Sequence, residues 1–137
     1  MPGSFELQLA KFAEKAGARA DEAVGGVVVA LHGKVDERSP VDTGRFRGNW
    51  QLGIGSLPGG VLERLDPDGG TVRAEVRAAV PEQASGLVYY IANNLPYTQM
   101  LENGWSKQAP SGIVGLTVVE FQSLVDQAVV KAQAAHP

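Results

Sequence analysis

Residues 4–38, SFELQLAKFAEKAGARADEAVGGVVVALHGKVDER, set the architecture of this chain. Apolar side chains recur along the stretch every three or four positions, which predicts one long amphipathic helix. The predicted apolar stripe consists of residues 5, 9, 12, 16, 20, 23, 27, 31 and 35. Ser4 is a suitable N-cap, and the helix must end before Pro40 because the residue preceding a proline is pushed out of the α region. Gly25 and Gly26 lie inside it, where we expect them to allow close helix packing, with a kink as the alternative.

This helix is too long for the domain that contains it. At about 1.5 Å per residue it reaches on the order of 54 Å, whereas a compact domain of 137 residues has a diameter of about 37 Å. The excess length predicts that the helix either bends or packs on something outside the chain.

Farther along the chain the hydrophobic period changes to two, which is typical of half-buried strands. Residues 50–54 and 71–80 alternate in this way, and residues 87–93 are apolar on both faces, which predicts a central strand. The connection at 57–70 carries apolar side chains that are unusual for a loop. Two interpretations stay open for it: an excursion that becomes ordered against a neighbour, or tails of the flanking strands with a short helical turn.

Two helical patterns complete the chain. A short helix starts at Pro96, and a last helix covers residues 113–134 with a possible capping box at Thr117-x-x-Glu120. The order of elements predicts an α+β fold with a long N-terminal helix, a small antiparallel sheet of three to four strands, a short helix, and a C-terminal helix packed on the sheet. We expect residues 1–137 to form a single domain.

Composition excludes several classes of function. The chain has no cysteine, which removes disulfides, thiol nucleophiles and thiolate metal sites. Its net charge of −3 is spread without blocks, which argues against nucleic acid as the main partner. No apolar run approaches the roughly 20 residues that cross a bilayer, so we expect no membrane association.

The residue types that usually perform chemistry are poorly placed. His32 falls inside the long helix and His136 is the penultimate residue, so neither has a partner at ligand spacing. Carboxylates such as Glu102 with Asp42 or Glu63 would suit acid/base hydrolysis, but sequence alone does not pair them. We therefore expect no catalytic residue, cofactor or metal, and a protein that is not an enzyme.

The turn that follows the long helix is rich in residues that fix backbone conformation. Asp42 is expected to accept a hydrogen bond from the Gly44 N–H in an Asx turn, and Gly44 to supply backbone freedom. Arg45 and Arg47 come next, and the acidic residues around them favour an ion-paired corner or a protein interface over a site for single-stranded nucleic acid.

Four segments of the chain resemble, in the same order, the tail-completion or neck proteins of long-tailed bacteriophages, a family also described as minor tail components. They are SPVDTGRF at 39–46 followed by Trp50, YIANNLPY at 90–97, LENG at 101–104, and QAPSGIV at 108–114. The resemblance implies a virion structural protein, made in the host cytoplasm, that forms a ring, commonly a hexamer, at the head–tail junction. It implies partners in the tail tube or tail terminator and in the head connector or head-closure protein, and passing contact with genomic DNA in the lumen.

The resulting interpretation gives each distinctive residue a role. Pro40, Asp42, Thr43 and Gly44 form a structural corner, and Trp50 fills the core. The candidate interface residues are Arg45, Arg47, Tyr97, Glu102 and Trp105. Arg45 and Arg47 would face the lumen or a neighbour, and Tyr97 and Glu102 would hold the short helix in register. Trp105 would anchor an interface or fold back on its own domain.

Three other functions compete with head–tail joining by a ring. The chain could instead be a small module that binds a peptide or a host factor, and it would then be a monomer with an exposed apolar patch. A tail terminator is closely similar in sequence pattern. A hydrolase that uses Glu102 with Asp42 would need both carboxylates across one cleft.

Overall fold

The computed structural model describes the backbone of residues 4–137 and the side chains from residue 15 onwards. The elements in chain order are α1 (Ser4–Arg38), a 3-10 turn (Arg47–Asn49), β1 (Trp50–Ile54), α2 (Gly70–Ala79), β2 (Tyr89–Asn93), α3 (Thr98–Glu102), α4 (Val114–Val119) and α5 (Phe121–Ala135). The predicted α+β class is confirmed. The sheet has two strands within the described residues rather than the three to four expected.

Helix α1 is continuous, as predicted, and its two central glycines provide close contacts. A Cβ atom at Gly25 would lie 3.2 Å from Val80 Cγ1, and one at Gly26 would lie 3.5 Å from Ala128 Cβ. The glycines therefore let the segment after α2 and helix α5 approach the α1 backbone. The buried side of α1 carries Val28, His32, Val35 and Asp36. The buried face of the helix is therefore rotated by about one residue relative to the predicted apolar stripe. The predicted apolar positions at 5, 9 and 12 lie outside the side chains that are described.

The predicted strand at 71–80 is wrong, because these residues form helix α2. Val72 and Val76 are its buried residues, while Ala74 and Ala78 are exposed. A spacing of four between buried residues fits both a helix and an alternating strand, so the two valines alone do not decide between them. The Asp66 carboxylate then favours the helix, because it accepts hydrogen bonds from the Thr71 and Val72 N–H groups at 3.2 and 2.9 Å.

The two strands pair antiparallel, with Trp50 opposite Asn93 and Ile54 opposite Tyr89. Leu52 and Ile91 face each other and pack against the core cluster. The strand predicted at 87–93 is thus present from Tyr89, but it lies at an edge of the sheet rather than at its centre. Its only strand partner among the described residues is β1.

The C-terminal region differs from the single helix predicted to pack on the sheet. It forms two helices, α4 and α5, which meet at Glu120, and α5 packs antiparallel on α1 instead. Leu124, Ala128 and Ala132 are its buried residues. The predicted capping box is absent, because the Thr117 hydroxyl donates to the Ile113 carbonyl at 2.9 Å.

The core lies between α1, α2, the sheet and the start of α4. Its buried members are Val35, Phe46, Trp50, Val72, Val76, Leu95, Ala109 and Ile113. Trp50 fills the core as predicted, with 2% of its surface exposed, and its ring meets that of Phe46 edge-on at a centroid distance of 5.7 Å. The indole N–H donates to the Ser39 hydroxyl at 2.7 Å, so the polar atom of this large side chain is satisfied.

Candidate assembly surface

The chain leaves α1 through residues 39–49, which we call the corner. Ser39 begins it, and its hydroxyl donates to the Val35 carbonyl at 2.6 Å while accepting from the Trp50 indole. Pro40 follows and cannot continue the helix. The corner is therefore tied to the last turn of α1 on one side and to the core tryptophan on the other.

Gly44 holds the middle of the corner. Its φ is +88°, and a Cβ atom there would lie 2.7 Å from Pro67 Cα, so both backbone conformation and space require glycine. Its carbonyl accepts from the N–H groups of Gly48 and Asp66, each at 2.9 Å. The predicted Asx turn at Asp42 is wrong, because the Gly44 N–H makes no hydrogen bond to Asp42 among the described residues. The local turn bond lies one position on, where the Arg45 N–H donates to the Thr43 hydroxyl at 3.3 Å. Asp42 is exposed to solvent.

A buried carboxylate lies behind the corner. Asp36 is 0% exposed; Arg73 donates to its Oδ2 at 2.8 Å, and Arg47 Nε lies 3.2 Å from its Oδ1. Burial raises the pKa of Asp36, and the guanidinium groups of Arg47 and Arg73 oppose that shift. The Arg47 Nε–H points at the Asp36 carbonyl, at 2.9 Å, so Oδ1 has an ionic contact without a hydrogen bond. Arg47 is thus engaged inside its own chain.

Asn49 was not singled out by its sequence context, yet it is 0% exposed and connects the corner to the following loop. Its amide nitrogen donates to the carbonyls of Arg45 and Leu62, at 2.7 and 3.1 Å. Its amide oxygen accepts from the Leu62 N–H at 2.7 Å. No motif marks this residue in the sequence, because the bonding depends on a loop 13 residues away.

Glu102, at the end of α3, holds the start of α4. Its carboxylate accepts from the N–H groups of Ile113, Val114 and Gly115, at 3.1, 2.8 and 3.1 Å. These are backbone donors that the first turn of a helix leaves without intrahelical partners. The carboxylate of Glu102 therefore serves as a structural clamp between α3 and α4, and both of its oxygens are occupied.

The residues predicted for the corner line one groove of about 400 Å³. Pro40, Asp42, Thr43, Gly44 and Arg45 form one wall, and Tyr97, Leu101, Ser106 and Gln108 form the other. The side chain of Gln108 accepts from the Val41 N–H at 2.8 Å and donates to the Val41 carbonyl at 3.0 Å, in the manner of a paired strand.

Asn93 adds a further link, since its Nδ2 donates to the Phe46 carbonyl at 2.8 Å. The Asn93 and Gln108 links, with the Glu102 clamp, bring the four distinctive sequence segments together around the corner. Glu102 and Arg47 lie outside the groove lining.

Trp105 lies at the start of the connector formed by residues 105–112 and is 74% exposed. Its backbone N–H donates to the Met100 carbonyl at 3.2 Å, which fixes the backbone but leaves the indole ring in solvent. Of the two interpretations offered by the sequence, the one in which Trp105 folds back on its own domain is therefore wrong.

Helix α4 buries a polar residue and exposes its apolar residues, an arrangement that its sequence pattern does not predict. Its sequence is VGLTVV, and its buried residue is the polar Thr117, at 2% exposed. Val118 and Val119 are 63% and 83% exposed, and Val114, Leu116 and Phe121 are also exposed. Arg38 explains this arrangement: it donates to the Thr117 hydroxyl at 2.9 Å and forms an ion pair with Glu120. The polar contacts of Arg38 thus turn the apolar residues of α4 outward.

The two histidines have ordinary structural positions. His32 is 2% exposed, and its Nε2 has no hydrogen-bond partner among the described residues. Burial lowers the pKa of His32 to about 4, with Arg73 contributing and Asp66 acting in the opposite direction. His136 lies at the end of α5, where its carbonyl accepts from Arg19 Nε at 2.7 Å.

Across the side chains that are described, no group of three or more histidine, aspartate or glutamate residues could hold a metal ion. No helix in the described part of the chain combines the length and apolar character needed to cross a membrane. Comparison of the sequence with models of protein families, with curated proteins and with solved structures finds no match.

Proposed function

We propose that this chain is a non-enzymatic assembly protein of a long-tailed bacteriophage virion that forms a ring at the head–tail junction and joins the tail to the head connector. The observation that carries the proposal is the apolar face of α4, which is exposed while the polar Thr117 is buried. Burial of apolar surface stabilises an assembly by about 25 cal/mol per Å². A contiguous exposed apolar face is typical of a subunit-contact surface.

The surroundings of α4 support a role in assembly because they fix its position. Glu102 clamps its first turn to α3, and Arg38 holds its middle on the end of α1. A contact surface on a rigid support loses less conformational entropy on binding than one on a mobile loop. The same polar residues also keep Val118 and Val119 from turning inward.

The separation of the exposed apolar residues into different parts of the fold supports a ring. Trp105 lies in the connector, Val118 and Val119 lie on α4, and Leu57 and Val88 lie near the open end of the sheet, all at least 60% exposed. Contacts between unlike surfaces of identical subunits are heterologous, and they close into rings when the rotation permits. This arrangement favours a ring over a two-fold dimer.

The proposal is tested in phage particles with the double variant Val118→Asp, Val119→Asp. We expect full heads and separate, finished tails in negative-stain images, because two charges on the α4 face oppose its burial between subunits. A matched control is Gln133→Asp with Ala134→Asp, which adds the same charge at two adjacent exposed positions of α5. Unchanged thermal unfolding of both variants would show that the fold is intact.

The outcomes separate the competing functions. Normal, infectious particles from the α4 variant would contradict the proposal. Overlong tails would indicate a tail terminator instead of a joining protein. Separate heads and finished tails, with a normal phenotype for the α5 control, would support head–tail joining through α4.

A module that binds a peptide is the second candidate, and the groove of about 400 Å³ between the corner and the connector favours it. Trp105 is exposed beside this groove and would contact a bound segment. This function predicts that Trp105→Ala abolishes binding of a host peptide in titration calorimetry while particles assemble normally. Assembly failure in the α4 variant would count against it.

A further inference from the structure

Strand β2 leaves one row of backbone hydrogen-bonding groups without a partner. The Gly55 N–H donates to the Val88 carbonyl at 2.8 Å, and antiparallel pairs alternate, so residues 88, 90 and 92 direct their N–H and C=O groups at β1. The corresponding groups of Tyr89, Ile91 and Asn93 point away from β1. Within residues 15–137 these outward groups make no hydrogen bond.

The outward edge of β2 lacks the sequence features that usually keep an exposed strand from pairing with another chain. Its sequence, YYIAN, contains no charged residue and no proline. The flanking Val88 is 60% exposed and Tyr90 is 36% exposed, so apolar side chains border the free edge. A two-stranded sheet is also marginally stable by itself, and additional strands stabilise it. The edge therefore suits an added strand from another chain.

A second extended segment, residues 61–66, runs beside the corner. Its exposure alternates residue by residue, with Val61, Glu63 and Leu65 exposed and the residues between them covered. Leu62 is bonded through its N–H to Asn49, and the Asp66 N–H donates to the Gly44 carbonyl. A period of two is the signature of an extended strand.

The N–H and C=O groups of Glu63 and Leu65 make no hydrogen bond among the side chains and backbone described. Leu62 and Arg64 line the same cavity of about 220 Å³ as Trp50 and Leu52, which places the segment near the start of β1. The chain thus presents two different extended segments whose outward backbone groups make no hydrogen bond among the described residues.

We propose that the outward edge of β2 pairs with residues 61–66 of the next copy of this chain, which adds a third strand to the sheet of each subunit. A row of alternating donors and acceptors is complemented by another extended backbone, and a second copy supplies one. Because the two segments are different parts of the chain, the contact is heterologous and suits a ring. This inference rests on the proposed function, whose α4 surface it supplements.

The absence of cysteine from the sequence makes disulfide trapping a clean test. The variant Glu63→Cys, Tyr90→Cys is oxidised at high protein concentration and separated on a non-reducing gel. We expect a ladder of covalent oligomers, since each copy offers both halves of the contact. Tyr90→Cys alone is expected to stay largely monomeric; a strong dimer from it would indicate symmetric pairing of β2 with itself and would overturn the proposal.

A proline variant tests the backbone hydrogen bonds themselves. Leu65→Pro, added to the chain with Glu63→Cys and Tyr90→Cys, removes one outward N–H and should reduce the ladder at least tenfold. Leu65→Ala in the same background removes most of the side chain but keeps the N–H, and it should retain the ladder. Circular dichroism checks that both variants are folded. Equal ladders from the two variants, or no ladder in either, would refute strand addition.

These results are independent of the virion experiment. A ladder from purified protein together with normal particles from the α4 variant would keep the strand contact and reject head–tail joining. No ladder together with a joining defect would do the reverse.

Discussion

At Gly44 the backbone has a φ of +88° and the space for a side chain is filled by the backbone of residues 66 and 67. Gly44→Ala should therefore lower the free energy of unfolding by about 3 kcal/mol or more, through backbone strain and steric overlap together. Gly55→Ala is the matched control, because Gly55 has a φ of +81° with open space around its Cα. Strain alone predicts a loss of about 1–2 kcal/mol there.

Urea unfolding of the two variants measures this difference. A loss at Gly44 no larger than that at Gly55 would mean that Pro67 moves aside, and the corner would then be less rigid than the contacts indicate.

Single residues differ in how far the sequence predicts their roles. Pro40, Gly44 and Trp50 were assigned correctly because backbone restriction, backbone freedom and the burial of a large aromatic ring act locally. The burial of Asp36 was not predictable, because its cost is offset by Arg73, which lies 37 residues away. The role of Asp42 was misassigned because the local turn bond forms one position on, between the Thr43 hydroxyl and the Arg45 N–H.

At the scale of elements, α1 offers a test of its glycines. A Cβ atom at Gly33 meets nothing within 4 Å, so Gly33→Ala should stabilise the protein by about 1 kcal/mol through helix propensity. At Gly25 the same atom lies 3.2 Å from Val80 Cγ1, so Gly25→Ala should give no gain. Thermal unfolding of the two variants checks the contrast. Equal stabilisation would show that the contact between α1 and Val80 is loose.

The elements also show where a hydrophobic period in the sequence is sufficient to predict secondary structure and where it is not. The period of α1 extends over many turns, so its continuity was predictable from sequence. Helix α2 has ten residues and only two buried valines, which fit a helix and a strand equally. Helix α4 is shorter still, and its orientation is set by Arg38 and Glu102, two residues outside it. Tertiary contacts of this kind have no signature in local sequence.

For the molecule as a whole, the buried His32 predicts loss of stability in acid. Its pKa is about 4 in the folded state against 6.5 when unfolded, so the unfolded chain binds more protons between these values. The stability that depends on neutral His32 is fully present above about pH 6.5 and declines as the pH falls towards 4, by about 3 kcal/mol in total. The raised pKa of Asp36 acts in the opposite direction at the acidic end of this range.

Urea unfolding at a series of pH values tests this expectation. His32→Leu removes the titrating group and should flatten the dependence between pH 6.5 and 4. His136→Leu serves as the control, because His136 is more exposed, at the end of α5. If the His32 variant kept the slope of the original protein, the acid sensitivity would have to arise from another group.

The antiparallel packing of α5 on α1 places the end of the chain beside Arg19. A label attached after Pro137 would consequently emerge near the middle of α1, whereas one attached ahead of Ser4 would stand about 22 Å farther along the same axis. Gold particles or fluorescent domains at these two points would report the polarity of every subunit in an electron micrograph. The direction of α1, measured between the two labels, would in this way give the orientation of the subunit in a larger particle.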